Sequence, residues 1–201
     1  MKKYELTTET LQFAGRTLHR IKAVKDFDSI KAGEFGGWIE NEKNLSQDDN
    51  AWIYSEAIVF DNAKVFGNAR VFGNAKILGN AHIFGNAKVF DSARVYYYAR
   101  VYGDAIVHND AIVCYNAIVS DNAIVSDNAI VSDNAEVCEN ATVYGLTRIF
   151  GNAIVLGNAI LFGHAKIYGK ATINGDAKVY DAVDYIVFKN FWSSGRYFTW
   201  T

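Results

Sequence analysis

A chain of 201 residues, 50% of them hydrophobic, carries enough apolar material for one buried core, and its net charge of −2 argues against an acidic mimic of DNA. Two cysteines make no disulfide scaffold, proline is absent, and no apolar run is long enough to cross a membrane as a helix. The opening Met1-Lys2-Lys3-Tyr4-Glu5-Leu6 lacks the apolar stretch of a secretory signal, so a cytoplasmic, reducing location is expected.

Residues 1–50 keep no period, but an extended pattern over Thr10–Ala14, a Gly15 turn and a second extended run over Thr17–Phe27 predict a hairpin or small sheet. Phe27, Ile30, Phe35 and Trp38 are expected to lie over the open end of the periodic array that begins at Ala51, and Gly36-Gly37 reads as a tight turn. Ile39 and Leu45 fall in phase with the alanines of that array, which allows one or two irregular turns before Ala51. The segment reads as a cap, because an uncovered strand edge recruits other chains.

From Ala51 to Ala177 alanine recurs at every sixth position, with Thr147 the only substitute, and Val, Ile or Leu stands two residues after each one. Alternation along a strand sends Ala63 and Val65 to one side and Lys64 and Phe66 to the other, so the small and aliphatic pair is the inside. Gly67 and Asn68, types that tolerate a positive φ, make the corner. One short strand and one corner per hexad close most simply as a triangle, giving an array over 51–182 of about seven coils spaced about 4.8 Å apart. The absence of proline suits strands whose N–H groups must all reach the neighbouring coil.

Residues 183–201 leave the period. Tyr185–Trp192, Ser193-Ser194-Gly195-Arg196 and Tyr197–Thr201 predict an aromatic β-hairpin that either seals the last coil or makes a subunit contact, with Phe191, Trp192, Tyr197 and Trp200 as interface candidates. The chain ends inside a strand-like run, which reads as a piece of something longer.

The unbroken pattern of a small residue, any residue and an aliphatic resembles the hexapeptide-repeat proteins. The entry run Ile21–Phe27, Lys31–Ile39 and Asn44–Gln47 is similar to that of a bacterial and bacteriophage acyltransferase-like group among them. The resemblance implies an all-β fold: a left-handed parallel β-helix solenoid of three hexads per coil, with an N-terminal β cap and a C-terminal aromatic β-hairpin. It also implies acyl transfer from an acyl-CoA. The enzymes of that superfamily carry small or acidic residues where Phe66, Phe72, Phe84, Phe90, Tyr96 and Tyr102 stand here, and a loop that leaves the coil to close an acyl-CoA site around a histidine. No insertion breaks the period between Ala51 and Ala177.

Of the histidines, His19, His82, His108 and His164, none has the spacing of a zinc site, and Cys114 and Cys138, four hexads apart, lie on different faces and do not pair. His108 and His164 are the candidates for a general base. A basic collar of Lys64, Arg70, Lys76, Lys88, Arg94 and Arg100 adjoins the aromatic column. It reads either as a nucleic-acid surface or as cation stems packed over rings, and its spread over all three faces favours packing. From Gly103 to Ala141 there is no Lys or Arg while acids accumulate, and Ile106, Ile112, Ile118, Ile124 and Ile130 take the slot that held the cations. With Phe66, Phe84 and Tyr102 they leave one outward apolar residue in almost every hexad, which implies a homo-oligomer or a protein partner.

Two functions fit these features. The preferred one is a non-enzymatic rigid binding or scaffold rod without cofactor or metal, self-associating through its aromatic and isoleucine faces; the resemblance suggests a phage-encoded protein directed at a host macromolecule. The alternative is an acyl(acetyl)transferase taking acetyl-CoA at a subunit junction.

Overall fold

The computed structural model describes residues 2–181, together with the backbones of Ile186–Lys189 and Tyr197–Trp200. From Trp52–Ile53 to Lys178–Val179 the chain is a succession of two-residue parallel strands, three per coil. Each strand pairs with those 18 residues before and after it, as Lys88 does with Arg70 and Ile106. The result is the three-faced parallel β-helix expected from the repeat.

We call the face bearing Ile58, Lys76, Arg94, Ile112 and Ile130 the first. Lys64, His82, Arg100 and Ile118 mark the second, and Trp52, Arg70, Lys88, Ile106 and Ile124 the third. The core is one continuous axial cluster in which the alanines and aliphatics of the array are fully buried, Ala105, Val107, Ala123 and Val125 among them, with Ala177 in the last coil partly so. Each enclosed Val-sized side chain contributes roughly 1.5–3 kcal/mol before entropy. Strand N–H groups reach the next coil, as in Ile106 N to Ala123 O at 2.9 Å and His108 N to Val125 O at 3.0 Å.

Corners are built by two residue columns. The first takes a positive φ and mostly holds Gly, as at Gly67 and Gly103, or Asp, as at Asp121, Asp127 and Asp133, with Ser55, Tyr97, Asn109, Tyr115 and Glu139 its other members. An aspartate there also accepts the corner N–H one coil on: Asp127 from Gly145 at 3.1 Å and Asp133 from Gly151 at 3.0 Å. Asp121 and Glu139 do the same for Glu139 and Gly157. Much of the acidic run in the middle of the rod is therefore corner chemistry. The second column forms amide ladders, such as Asn50 to Asn68 to Asn86 to Asp104 and Asn122 to Asn140 to Asn158 to Asp176.

The cap consists of β1 (Tyr4–Phe13), β2 (Arg16–Ala23) and β3 (Phe35–Ile39). β1 and β2 form an antiparallel hairpin turning at Ala14-Gly15, β2 pairs with β3, and β3 runs parallel to Ile58–Val59, extending the first face into a ten-stranded sheet. The hairpin covers two surfaces. Tyr4, Ile21 and Ile30 plug the open axis, with Phe27 packed edge-on against Trp52, whereas Leu18, Phe13 and Leu11 pack outside the first face on Trp38, Ile58 and Phe60.

The cap departs from expectation at three places. Gly36 and Gly37 do not turn the chain; they lie buried within β3, where a Cβ on Gly36 would meet Ile53 O at 2.5 Å and one on Gly37 would meet Ala57 O at 2.5 Å. The glycines permit close backbone approach. Phe35 is 53% exposed rather than laid over the coil, with the cations of Arg20 and Lys22 5.6 and 5.3 Å from its ring, and Trp38 likewise lies outside the first face, with Leu18, Ile58 and Phe60, and not over the open axis. Ile39 and Leu45 join the aliphatic column, not the alanine one, pairing with Val59 and Val65 twenty residues on. The segment between Leu45 and Ile53 is two residues longer than a normal hexad, which shifts the phase.

Carbonyls of the first coil have no preceding coil to bond them, and the cap supplies the donors. Lys3 Nζ donates to Asp49 O and Ala51 O at 2.8 Å each, Tyr4 Oη to Leu45 O at 2.7 Å, and Asn44 Nδ2 to Ala63 O at 2.9 Å. Burial holds the Lys3 ammonium down at about 8, against the pull of Asp49. The unfolded chain keeps that proton to about 10.5, so between the two values unfolding takes up a proton and stability rises with pH. A neutral amine still offers two N–H groups to the two carbonyls. The melting temperature of the wild type relative to Lys3→Met is expected to rise from pH 8 to 10.5; a flat or falling difference contradicts this placement.

At the other end Ile186–Lys189 pairs antiparallel with Tyr197–Trp200, Ile186 opposite Trp200. Phe191 and Trp192 lie outside the described residues, as do the side chains of Tyr197 and Trp200. Among the described residues no helix is long and apolar enough to cross a membrane.

Candidate functional site

Because the register repeats every 18 residues, an outward side chain meets its counterpart one coil away. The aromatic column therefore forms stacks rather than isolated rings. On the second face Phe66, Phe84 and Tyr102 lie at centroid spacings of 4.9 and 4.7 Å, within 9° of parallel. On the third, Phe72 and Phe90 stack at 4.6 Å, and the His108 imidazole continues the series at 4.9 Å from Phe90. These rings are half-buried by one another. The outward isoleucines are half-buried too, Ile106 beside Ile124 on the third face and Ile112 beside Ile130 on the first, with Ile118 on the second. Smaller residues stand next to several of them: Ser120 and Ser126 sink to 2% and 8% exposure.

The candidate bases are not brought together. His108 lies flat on its stack with Nδ1 3.7 Å from Asp91 Oδ2, while His164 is exposed at a corner about three coils further along. His82, between Lys64 and Arg100 in the second-face column, is held below the usual histidine range by burial first and then by those two cations. Cys114 and Cys138 are unpaired on different faces, as expected, but the Cys114 thiol is only 3% exposed and is pushed up by burial, against the hydrogen bond from Tyr96. Burial and that thiol raise the Tyr96 phenol to about 12, so it stays neutral. Among the described residues no group of three or more His, Cys, Asp or Glu is placed to hold a metal ion.

The basic collar divides two to a face: Lys76 and Arg94 on the first, Lys64 and Arg100 on the second, Arg70 and Lys88 on the third. Arg70 pairs with Asp28 of the cap at 2.8 Å, and the Lys76 ammonium sits 5.4 Å from the Phe13 ring centroid.

Where the hairpin tip overhangs the first face it leaves a groove of about 470 Å³, lined by Phe13, Phe60, Leu78, Tyr96 and Tyr97, with Lys76, Arg94 and Asp61 among its polar groups. Phe13 holds the overhang, edge-on to Phe60 at 5.8 Å. Asp61 is committed elsewhere, accepting from Arg16 at 2.8 Å and from Gly79 N at 3.3 Å. The groove did not emerge from the repeat because it forms between the array and a segment outside it. Its one sequence trace is the run Tyr96-Tyr97-Tyr98, which puts two rings in a corner where most corners hold Gly, Asp or Asn.

Comparison with known proteins gives two findings. A family model described as the YdcK beta solenoid repeat matches residues 99–115. A curated protein of Escherichia coli (strain K12), described as the uncharacterized acetyltransferase YdcK, is 38% identical over 64 residues. That match spans 28% of this chain and 20% of the length of that relative. Both fit the hexapeptide-repeat, acyltransferase-like resemblance.

Proposed function

We propose that this chain is a rigid, non-enzymatic binding rod that associates with a second copy of itself through the isoleucine ridges of its middle coils. The observation that carries this reading is the register. From Ile53 to Val179 every hexad stays in phase, so no segment of the array leaves the coil to wall a substrate site. His108 is held in a ring stack, and the corner acids Asp121, Asp127 and Asp133 are spent on backbone N–H groups. The half-buried Ile106, Ile112, Ile118, Ile124 and Ile130 form an apolar belt free of Lys and Arg, the kind of surface that marks an interface. Unpaired cysteines fit a reducing cytoplasm. The phage and bacterial resemblance makes a host macromolecule the natural target of the remaining surface.

Sedimentation equilibrium tests the self-contact. The wild type is expected to exceed monomer mass at micromolar concentration and Ile112→Asp or Ile118→Asp to sediment as monomers. A monomeric wild type overturns the reading.

The acyltransferase reading is favoured by one specific observation, the similarity to a protein described as an acetyltransferase. On that reading acetyl-CoA lies at a subunit junction with His108 or His164 as general base.

A further inference from the structure

We infer that the groove under the hairpin tip binds a small organic anion carrying a flat aromatic ring. This site depends on neither the binding-rod nor the acyltransferase function.

Two side chains in the corner column beside the groove are poorly suited to its backbone. Tyr97 and Tyr115 adopt φ of +61° and +60° in a column whose neighbouring coils place Gly79 before them and Asp133 and Gly151 after. A bulky residue in that conformation costs of order 1–3 kcal/mol. Aspartate offsets the cost by accepting the corner N–H of the next coil, as Asp133 does from Gly151; a phenol on a rigid ring has no such acceptor in reach of its own corner. Stacking of the two rings at 4.8 Å returns part of it, yet Tyr97 and Tyr115 remain 48% and 49% exposed. In the adjoining column Tyr98, 61% exposed, stands between Asn80 and the amides that bond from Asn116 to Asn134. Strain held at an exposed aromatic edge marks a working surface.

The groove supplies the rest. Its volume of about 470 Å³ is that of a small-molecule site, and its walls offer rings and an aliphatic floor. Lys76 and Arg94 are register partners on the first face, so two cations stand one coil apart at its side, and neither has a carboxylate partner among the described residues. The one carboxylate in the lining, Asp61, is already neutralised by Arg16. An anionic group seats between Lys76 and Arg94 while its ring lies against Tyr97 and Phe13. Aryl carboxylates and nucleoside phosphates share this chemistry.

Titration calorimetry on the full chain tests it with 1-naphthoate and adenosine monophosphate as ring-bearing anions, 1-naphthalenemethanol as a ring without charge and pyrophosphate as charge without a ring. One equivalent of at least one ring-bearing anion is expected to bind, about tenfold or more tighter than either control. The tighter of the two assigns the carboxylate or the phosphate source. Lys76→Gln and Arg94→Gln are each expected to weaken it about tenfold. Tyr97→Gly is expected to weaken binding while raising the melting temperature, which separates a functional ring from a structural one. No saturable binding of either anion at millimolar concentration overturns the inference, as does binding unchanged in both charge variants or equal affinity for the uncharged ring.

Discussion

Ala123→Leu is expected to destabilise the rod by about 3 kcal/mol or more, while Ala123→Thr costs within about 1 kcal/mol. Ala123 is fully buried, with Ala105 and Ala141 directly before and after it in the column and both also fully buried. Backbone spacing there is set by hydrogen bonds, Ile106 N to Ala123 O and Ile124 N to Ala141 O at 2.9 Å each, so the coils cannot spread to admit a larger group. Threonine is a different matter, since the array already contains one. Thr147 is fully buried and its Oγ1 donates to Tyr144 O at 2.8 Å, bonding its own corner carbonyl. The Ser120 carbonyl, which accepts the Ala123 N–H at 3.1 Å, offers a threonine at 123 the same partner. For a domain of this size about 3 kcal/mol corresponds to a fall in melting temperature of roughly 6–12 °C. Equal melting of the leucine and threonine variants contradicts a narrow axis.

Gly37→Ala is expected to cost about as much, and at a different place. The added Cβ would lie 2.5 Å from Ala57 O and 2.6 Å from Ile53 Cγ2. Ala57 O is the acceptor of Trp38 N at 2.9 Å, the bond that joins β3 to the first coil. The clash therefore pushes the cap off the array instead of disturbing the coils beyond. Loss of the cap bares Trp52 and Ile53 and leaves the carbonyls of Leu45 and Ala51 without the Tyr4 and Lys3 donors. Limited proteolysis should cut the variant within residues 2–45 and spare the later coils. Gly15→Ala is the control, because nothing lies within 4 Å of that position and only the strain of its φ of +75° is added. Equal protease resistance in the two variants contradicts the role of β3.

The array was legible almost in full because its period is a direct physical record. Ala and Val at fixed spacing, a corner every six residues and no proline leave one arrangement in which every strand N–H finds a carbonyl. The same local grammar failed at the cap. Gly36-Gly37 has the composition of a turn, but its reason is tertiary, the approach of the Ile53 and Ala57 carbonyls. Ile39 and Leu45 took the wrong phase since the longer corner after Leu45 is invisible until strands are paired. The acids that accumulate between 103 and 141 show in the sequence only as a run of charge, whereas several accept the N–H of the next corner. The groove was hidden for a further reason. It belongs to no repeat, arising only where Phe13 reaches Phe60 across 47 residues of chain.

Acetyl-CoA is the ligand that most directly opposes the binding-rod account. A ligand that binds only the folded state raises its melting temperature, by an amount that grows with concentration. Acetyl-CoA is also a nucleoside phosphate, so the test is made in Lys76→Gln/Arg94→Gln, whose groove has lost its cations: thermal unfolding with and without millimolar acetyl-CoA is expected to give the same midpoint there, unaltered on adding His108→Ala or His164→Ala. A midpoint that climbs with acetyl-CoA, together with acetyl transfer lost in either histidine variant, would show the chain to be a transferase and contradict the account.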